Sequence, residues 1–294
     1  MTLAIIIPTF NRRDSLSAIL NNIRDVAVPE MVIHVIAVVD GSNDGTLEML
    51  AGDFSEVHIV RGSGYWWYTR CINEGMVYAR DLHPDYILTL NDDLLLDKDY
   101  FRNIYRYSLN PVQHAIAGSM TFTAEQPVRM VSSGVSSLNR ISFRAKHYIR
   151  MFAPVNPEEL TGVRRSEVLV GRGMLIPMSI IEAMGYFDPY FVQYHSDADY
   201  CLRALKNGYQ VLINWDTKIY SHVLKTSKVS SFLRSDLGPF IRSFFNPYSR
   251  NYVPQWILFI YRHGNRLFFP VSIILFFLKT LRAYFFKSKL DNEQ

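Results

Sequence analysis

Through its first hundred residues the chain alternates unbroken apolar runs with amphipathic stretches, and nothing else in it restricts the fold so tightly. The runs LAIIIP, MVIHVIAVVD, VHIV and YILTLN end at Pro8, Asp40, Val60 and Asn91. A strand that is apolar at every position is covered on both faces, which points to a parallel sheet between layers of helices. The gaps carry helical periodicity. Arg13 to Arg24 puts Leu16, Ile19, Leu20 and Ile23 on one face, GSNDGTLEML turns into a second helix, and helices are expected over Thr69–Arg80 and Asp99–Tyr107. From about Val112 to Pro177 the runs HAIAGSMTF, VRMVSSGV and SEVLVGRGMLIP are short and strand-like, so the sheet is expected to continue as a mixed one. A short helix over Ile180–Met184, a longer one over Asp197–Asn207 ended by Gly208, and strands YQVLI and KIYSHV complete this part. The fold class is α/β.

In open α/β sheets ligands bind at the carboxyl ends of the strands. The polar clusters fall there: TFN after the first strand, DGSNDG after the second, NDD after the fourth. The acid pair of ILTLNDDLLL sits in an apolar setting, where adjacent carboxylates repel and resist burial. A turn explains Asn and Asp at a strand end. A divalent cation explains the pair equally well, because Mg²⁺ or Mn²⁺ takes oxygen ligands and can bridge carboxylates to phosphates. Asp40, ending a strand, can accept from a nucleobase imide or a ribose hydroxyl, while Ser42 to Asp44 fit a plain turn before Thr46. Asp197 stands at a helix start, either as a cap or as a reactive acid. His222 after a strand is a core histidine or a ligand, and Lys225 suits a phosphate or solvent. Trp66 and Trp67 form a sugar platform, or one belongs to the core and the other to an interface. Gly171 and Gly173 around Arg172 would let backbone approach a substrate.

The 294 residues suit one large domain, or one with an appendage, and 49% apolar content supports a sizeable core. The net charge of +4 is modest and the cations are scattered, which argues against nucleic acid as a partner. Cys71 and Cys201 form no CxxC pair, which argues against a disulfide framework or zinc site and fits a reducing compartment. MTLAIIIPTF lacks a basic leader, so the expected location is cytoplasmic.

Six segments, IIIPTFNR, VVDGSNDGT, YILTLNDD, VGRGMLIPMSIIEAMGYFDPYF, SDADYCLRALKNGY and SHV, occur in the order and spacing of family 2 glycosyltransferases. From about Leu3 to Val223 the chain resembles that family. GYWWYTRCINEG resembles a bacterial polysaccharide and lipopolysaccharide subgroup that includes rhamnosyl- and galactofuranosyltransferase-like members. The resemblance implies the GT-A fold, a Rossmann-like nucleotide-diphospho-sugar transferase fold. It implies that Thr9, Asn11 and Asp40 line the nucleoside pocket, with Asn73 close by and Asp92 toward the ribose or metal. It implies Mg²⁺ or Mn²⁺ on Asp93, with His222 as a further metal or diphosphate contact, and Asp197 as general base. Trp66, Trp67, Gly173 and Asp199 are assigned toward the acceptor or sugar. The sequence departs from the pattern at Asn91, where the first acid of the metal motif usually stands, and at Ser196, where related sequences have an acid before Asp197.

The implied reaction is inverting transfer from a UDP- or dTDP-linked sugar to a hydroxyl of a glycan or lipid-linked acceptor in bacterial cell-surface polysaccharide synthesis. A catalytically impaired scaffold of an assembly complex is the alternative that Asn91 and Ser196 favour and that Asp93 and Asp197 oppose. A nucleotidyltransferase would carry a glycine-rich phosphate loop, which PTFNRRDS lacks.

Residues 1–225 are expected to form the catalytic domain and 226–294 a helical, basic and apolar extension. Its run LFFPVSIILFFL, Leu267 to Leu278, would make a helix of about 18 Å, too short for a bilayer core of about 30 Å. Arg262, Arg266, Lys279, Arg282, Lys287 and Lys289 flank it, which predicts a peripheral anchor on the inner face of the cell membrane. A helix buried in a homo-oligomer, and a true span through Phe286 that takes Lys279 and Arg282 with it, are the other readings.

Overall fold

A computed structural model describes residues 1–109, 115–222 and 237–290, with side chains as far as Phe285. The α/β half runs β1 (Thr2–Thr9), α1 (Arg13–Val26), β2 (Val32–Asp40), α2 (Thr46–Asp53), β3 (His58–Gly62), α3 (Trp67–Ala79), β4 (Tyr86–Thr89), β5 (Leu94–Leu96) and α4 (Tyr100–Ser108). There follow β6 (Ala115–Thr123), β7 (Met130–Ser132), β8 (Val135–Leu138), β9 (Ala145–His147), β10 (Val163–Arg165), β11 (Met174–Pro177), α5 (Met178–Met184), α6 (Ser196–Lys206) and β12 (Gln210–Ser221). Helices α7 (Leu237–Ser243), α8 (Val253–His263) and α9 (Phe269–Leu290) close the described chain.

Among the described residues the main sheet has the order β10-β12-β6-β11-β4-β1-β2-β3, with β5 on β12 and β7 on β6. β1 runs parallel to β2 and β4, and β2 to β3. β11 lies antiparallel between β4 and β6, which makes the sheet mixed, as expected. Alternation along β1 builds two cores at once. Leu3, Ile5 and Ile7 face α1 and α4, packing with Leu16, Ile19 and Phe101. Ala4 and Ile6 face α3, α5 and α6, packing with Ile72, Met76, Ile180 and Tyr200.

The differences from expectation lie at element ends. β4 stops at Thr89, two residues before Asn91, and the leucines after the acid pair form β5, antiparallel to β12. The acid pair is thus the turn between two strands of one sheet. α3 begins at Trp67, whose φ of +58° is a left-handed value that no propensity argument anticipates for a tryptophan.

The extension is not a separate unit. The expected boundary at 225/226 lies outside the described residues, as does Lys225. Beyond it, Phe259, Ile260 and Phe276 join Phe143, Phe191 and Leu202 in a third buried cluster, so α8 and α9 pack on the catalytic half. The expected short apolar helix also needs correction. α9 continues through Lys279 and Arg282, and Arg266–Phe285 is long and apolar enough to cross a membrane by length and composition. Its polarity is inverted. Ser272, Phe276 and Thr280, four residues apart, are the buried positions, while Ile274, Leu278 and Phe285 are 58%, 56% and 60% exposed. The two inward hydroxyls donate to carbonyls of their own helix, Ser272 to Phe268 and Thr280 to Phe276.

Candidate active site

β1, β2 and β4 end side by side, and the loops after them enclose a cavity of about 560 Å³. Its walls include Thr9, Arg12, Asp40, Trp67, Tyr68, Asn91, Asp92, Asp93, Arg172, Gln193, Tyr194 and Arg250. A wider depression of about 1050 Å³ lies at the other edge, where β1 and β4 begin, lined by Met1, Arg80 and Glu182 among others. It lacks the strand-end acids, and we place the site in the smaller cavity.

Asp92 and Asp93 are both buried. Asp92 accepts from Thr9 Oγ1 at 2.8 Å and from Arg12 Nη1 at 2.7 Å. Burial pushes its carboxyl pKa up, against the pull of Arg12 and Thr9. Asp93 has no such support. Both its oxygens are buried without a hydrogen-bond partner, and Arg12 Nη1 approaches only to 3.4 Å. A buried carboxylate left this way is costly unless a cation joins it, so the residues fit a divalent ion. The β5–β12 pairing ends at Leu94 opposite Ser221, and the next residues outward are Asp93 and His222. His222 Nδ1 meets Glu125 Oε1 at 3.3 Å. Among the described residues no group of three or more His, Cys, Asp or Glu could hold a metal. A cation here would rely on Asp93, with His222 as the candidate on the neighbouring strand end, and on substrate oxygens, as Mg²⁺ does with phosphates.

Asp40 lines the cavity, but its carboxylate is already in use: Oδ1 accepts from Gly64 N at 2.7 Å, and Oδ2 from Trp66 N at 2.9 Å and Trp67 N at 3.2 Å. Its first role is to hold the loop that delivers Trp67. That ring, 39% exposed, stacks on Tyr248 with centroids 4.0 Å apart. Trp66 is instead half-buried against the α3-side core, with Arg70 over its ring, so only Trp67 of the pair lines the cavity.

Asp197, in the first turn of α6, is not the cap; His195 holds that position. Asp197 accepts from Ala198 N at 2.8 Å and Gly171 N at 3.0 Å. Burial raises its pKa, opposed by those backbone N–H groups and by Arg172. Its side chain is half-buried, tied to the Gly171 backbone next to Arg172 at the edge of the cavity, and is not itself among the lining residues.

Four expected site residues are turned to other work. Asn73 clamps the chain at Phe187, its amide donating to Phe187 O at 2.8 Å and accepting from Phe187 N at 3.1 Å. Asn11 is exposed and accepts from Asn43 N at 2.9 Å, tying β1 to the turn after β2. Gly173, at φ +75°, is required by packing: a Cβ there would strike Ser119 and Ile219. Asp199 is fully buried, accepting from Arg203 Nε at 2.7 Å and bonded to His263 Nε2 at 2.8 Å, with Arg262 at 3.4 Å. Hydrogen bonds from His263 and Arg203 outweigh burial and hold its pKa below the usual range. It ties α6 to α8 and is not among the residues lining the cavity.

The Glycosyl transferase family 2 profile matches residues 4–168. The chain belongs to glycosyltransferase family 2. It is 24% identical over 210 residues to the low-salt glycan biosynthesis hexosyltransferase Agl10 of Haloferax volcanii, a match covering 71% of this chain and 63% of that one. In fold it is similar to GalNAc-T7 solved with UDP, GalNAc and Mn²⁺ (TM-score 0.62, 12% identity, 75% of this chain and 44% of that one). It is likewise similar to the mannosyltransferase PcManGT of Pyrobaculum calidifontis solved with GDP-Man and Mn²⁺ (TM-score 0.59, 13% identity, 96% and 73% covered). The fold is therefore GT-A-like, with a C-terminal helix added.

The family 2 match ends before Asp197, Arg172, Tyr248 and Arg250. Sequence reasoning assigned no role to Tyr248, none to Arg250, and only a loop position to Arg172. PYSRNYVPQW offered one signal, a basic residue among aromatic ones away from the apolar run.

Proposed function

We propose that the chain is an inverting glycosyltransferase that moves a sugar from a UDP- or dTDP-linked donor to a hydroxyl of a glycan or lipid-linked saccharide in bacterial cell-surface polysaccharide synthesis. One observation carries the reading: a buried carboxylate without a hydrogen bond, Asp93, in a cavity at the carboxyl ends of β1, β2 and β4. The family 2 membership and the hexosyltransferase relative support transfer of a sugar. The two fold neighbours solved with Mn²⁺ support Mg²⁺ or Mn²⁺ as cofactor. The rhamnosyl- or galactofuranosyl-like subgroup rests on GYWWYTRCINEG alone.

A bound divalent cation neutralises charge on the diphosphate leaving group. Thr9 and Arg12 fix Asp92 beside Asp93, which would take the cation. Asp40 holds the Trp67 loop and keeps lone-pair capacity for the nucleoside. Asp197 takes the proton of the acceptor hydroxyl as its oxygen attacks the anomeric carbon. The bond from that carbon to the diphosphate oxygen breaks on the opposite face, which inverts the centre. Asp93→Asn is expected to abolish transfer and the cation-dependent part of nucleotide binding, measured by calorimetry with UDP and Mn²⁺. Full transfer by the variant, or by the native protein in excess chelator, would remove the cation from this account.

The inverted polarity of α9 and its flanking cations support a lipid surface as partner, with the acceptor carried on that surface at the cytoplasmic face. Flotation with anionic liposomes is expected to carry the full-length protein, less at high salt but not to zero. Protein that ignores lipid at every salt concentration, and scatters light as an oligomer, would instead assign the face to a second copy.

A further inference from the structure

The cavity contains three arginines, and their charges are met unequally. Arg12 is engaged by Asp92 at 2.7 Å and stands 3.4 Å from Asp93. Arg172 and Arg250 line the same cavity, and among the described residues the side chain of neither makes an ion pair or hydrogen bond. The backbone that carries each is held in place by its surroundings. On either side of Arg172, Gly171 N–H donates to Asp197, Thr89 Oγ1 donates to Gly171 O at 2.7 Å, and Gly173 N–H donates to Thr89 O at 2.8 Å. Arg250 follows a turn in which Asn246 Oδ1 accepts from Tyr248 N. Gln255 grips Pro247 O, Trp256 Nε1 donates to Arg250 O at 2.8 Å, and the guanidinium lies 5.7 Å from the Tyr194 ring. Two guanidinium groups that line one cavity, with no carboxylate in ion-pair or hydrogen-bond reach of either among the described residues, call for an anionic ligand.

We propose that Arg172 and Arg250 form a guanidinium clamp on the donor's diphosphate, so that nucleoside diphosphate binding persists without a divalent ion. The proposal rests on the nucleotide-sugar reading above. Asparagine at 91 and serine at 196 reduce the acids available to a cation, and no group of three or more ligands assembles among the described residues. Guanidinium forks match phosphate oxygens two at a time and supply the missing positive charge. Both arginines lie outside the stretch matched by the family profile, and one arrives on the segment leading into α8.

Calorimetry of the full-length protein with UDP, dTDP and inorganic pyrophosphate in excess chelator tests the clamp. Binding is expected, and Arg172→Gln and Arg250→Gln should each weaken it roughly tenfold at an unchanged melting temperature. Arg250→Lys should recover part of the loss. Nucleotide binding that vanishes in chelator, or that both glutamine variants retain, overturns the clamp and leaves the transferase reading standing. Arginine-dependent binding of pyrophosphate with no response to either nucleotide, with or without Mn²⁺, keeps the clamp and overturns the donor assignment. Silence toward all three ligands with or without Mn²⁺ overturns both.

Discussion

Asp197→Asn is expected to bind the donor nucleotide as the native protein does and to lose about 10²–10⁴-fold in transfer, the usual contribution of a general base. The amide keeps an oxygen for the Gly171 or Ala198 N–H but cannot take a proton. The pH profile gives a second test. Burial raises the Asp197 pKa, so the base is lost as pH falls through a value above the ordinary carboxylate range near about 4. The native acid limb should sit above that range, and the residual activity of the variant should lack it. Stability runs the other way. A carboxyl whose folded pKa is raised contributes stability below its unfolded pKa and loses it as pH rises through the folded one. The variant should therefore melt no lower than the native protein at pH 8, with the gap narrowing toward acid. A variant with full activity would move the base elsewhere.

The second large effect concerns Asp199. Asp199→Ala should cost about 3–5 kcal/mol, because it leaves Arg203, Arg262 and the buried His263 without their shared acid. Its depressed pKa adds a sign. This stability is present above the unfolded pKa and lost as pH falls through the folded one, so Asp199→Ala should flatten the acid side of the stability profile. Urea unfolding from pH 8 to 3 measures both. Removing everything after Tyr252 should be worse than any point change. A catalytic domain confined to residues 1–225 would keep its nucleotide site folded after such a truncation. The truncation would instead strip Phe259 and Ile260 from the cluster that backs α6 and delete the partners of Asp199. Cooperative unfolding of the truncated protein like that of the native one would contradict this.

The strands of the α/β half were legible because burial on both faces leaves no polar position to interrupt a run. The strand-end acids were legible because a carboxylate in apolar surroundings needs a reason. What a motif position does not carry is the direction of a side chain. Asn73 and Asp199 stood where the family resemblance put site residues, and each is consumed by a partner far away in sequence: a peptide group at Phe187 and an imidazole at His263. Gly173 is small because Ser119 and Ile219 crowd it, a contact no local pattern contains. Arg250 was invisible for the opposite reason. A single arginine in a loop has no spacing to read, and only the packing of α8 brings it to the cavity.

The inward hydroxyls of α9 have a mechanical consequence. Ser272 and Thr280 satisfy themselves within the helix and ask nothing polar of the body beneath. Lifting this face away would strand neither hydroxyl; it would expose mainly Phe276 and its neighbours. Hydrocarbon can cover those as well as protein does. A polar latch stands at the root of α9, in the preceding helix, where His263 meets Asp199. On the lipid-anchor reading proposed above, α9 would act as a hinged float, exchanging one apolar medium for another while its hinge stays bolted to the helix that carries Asp197.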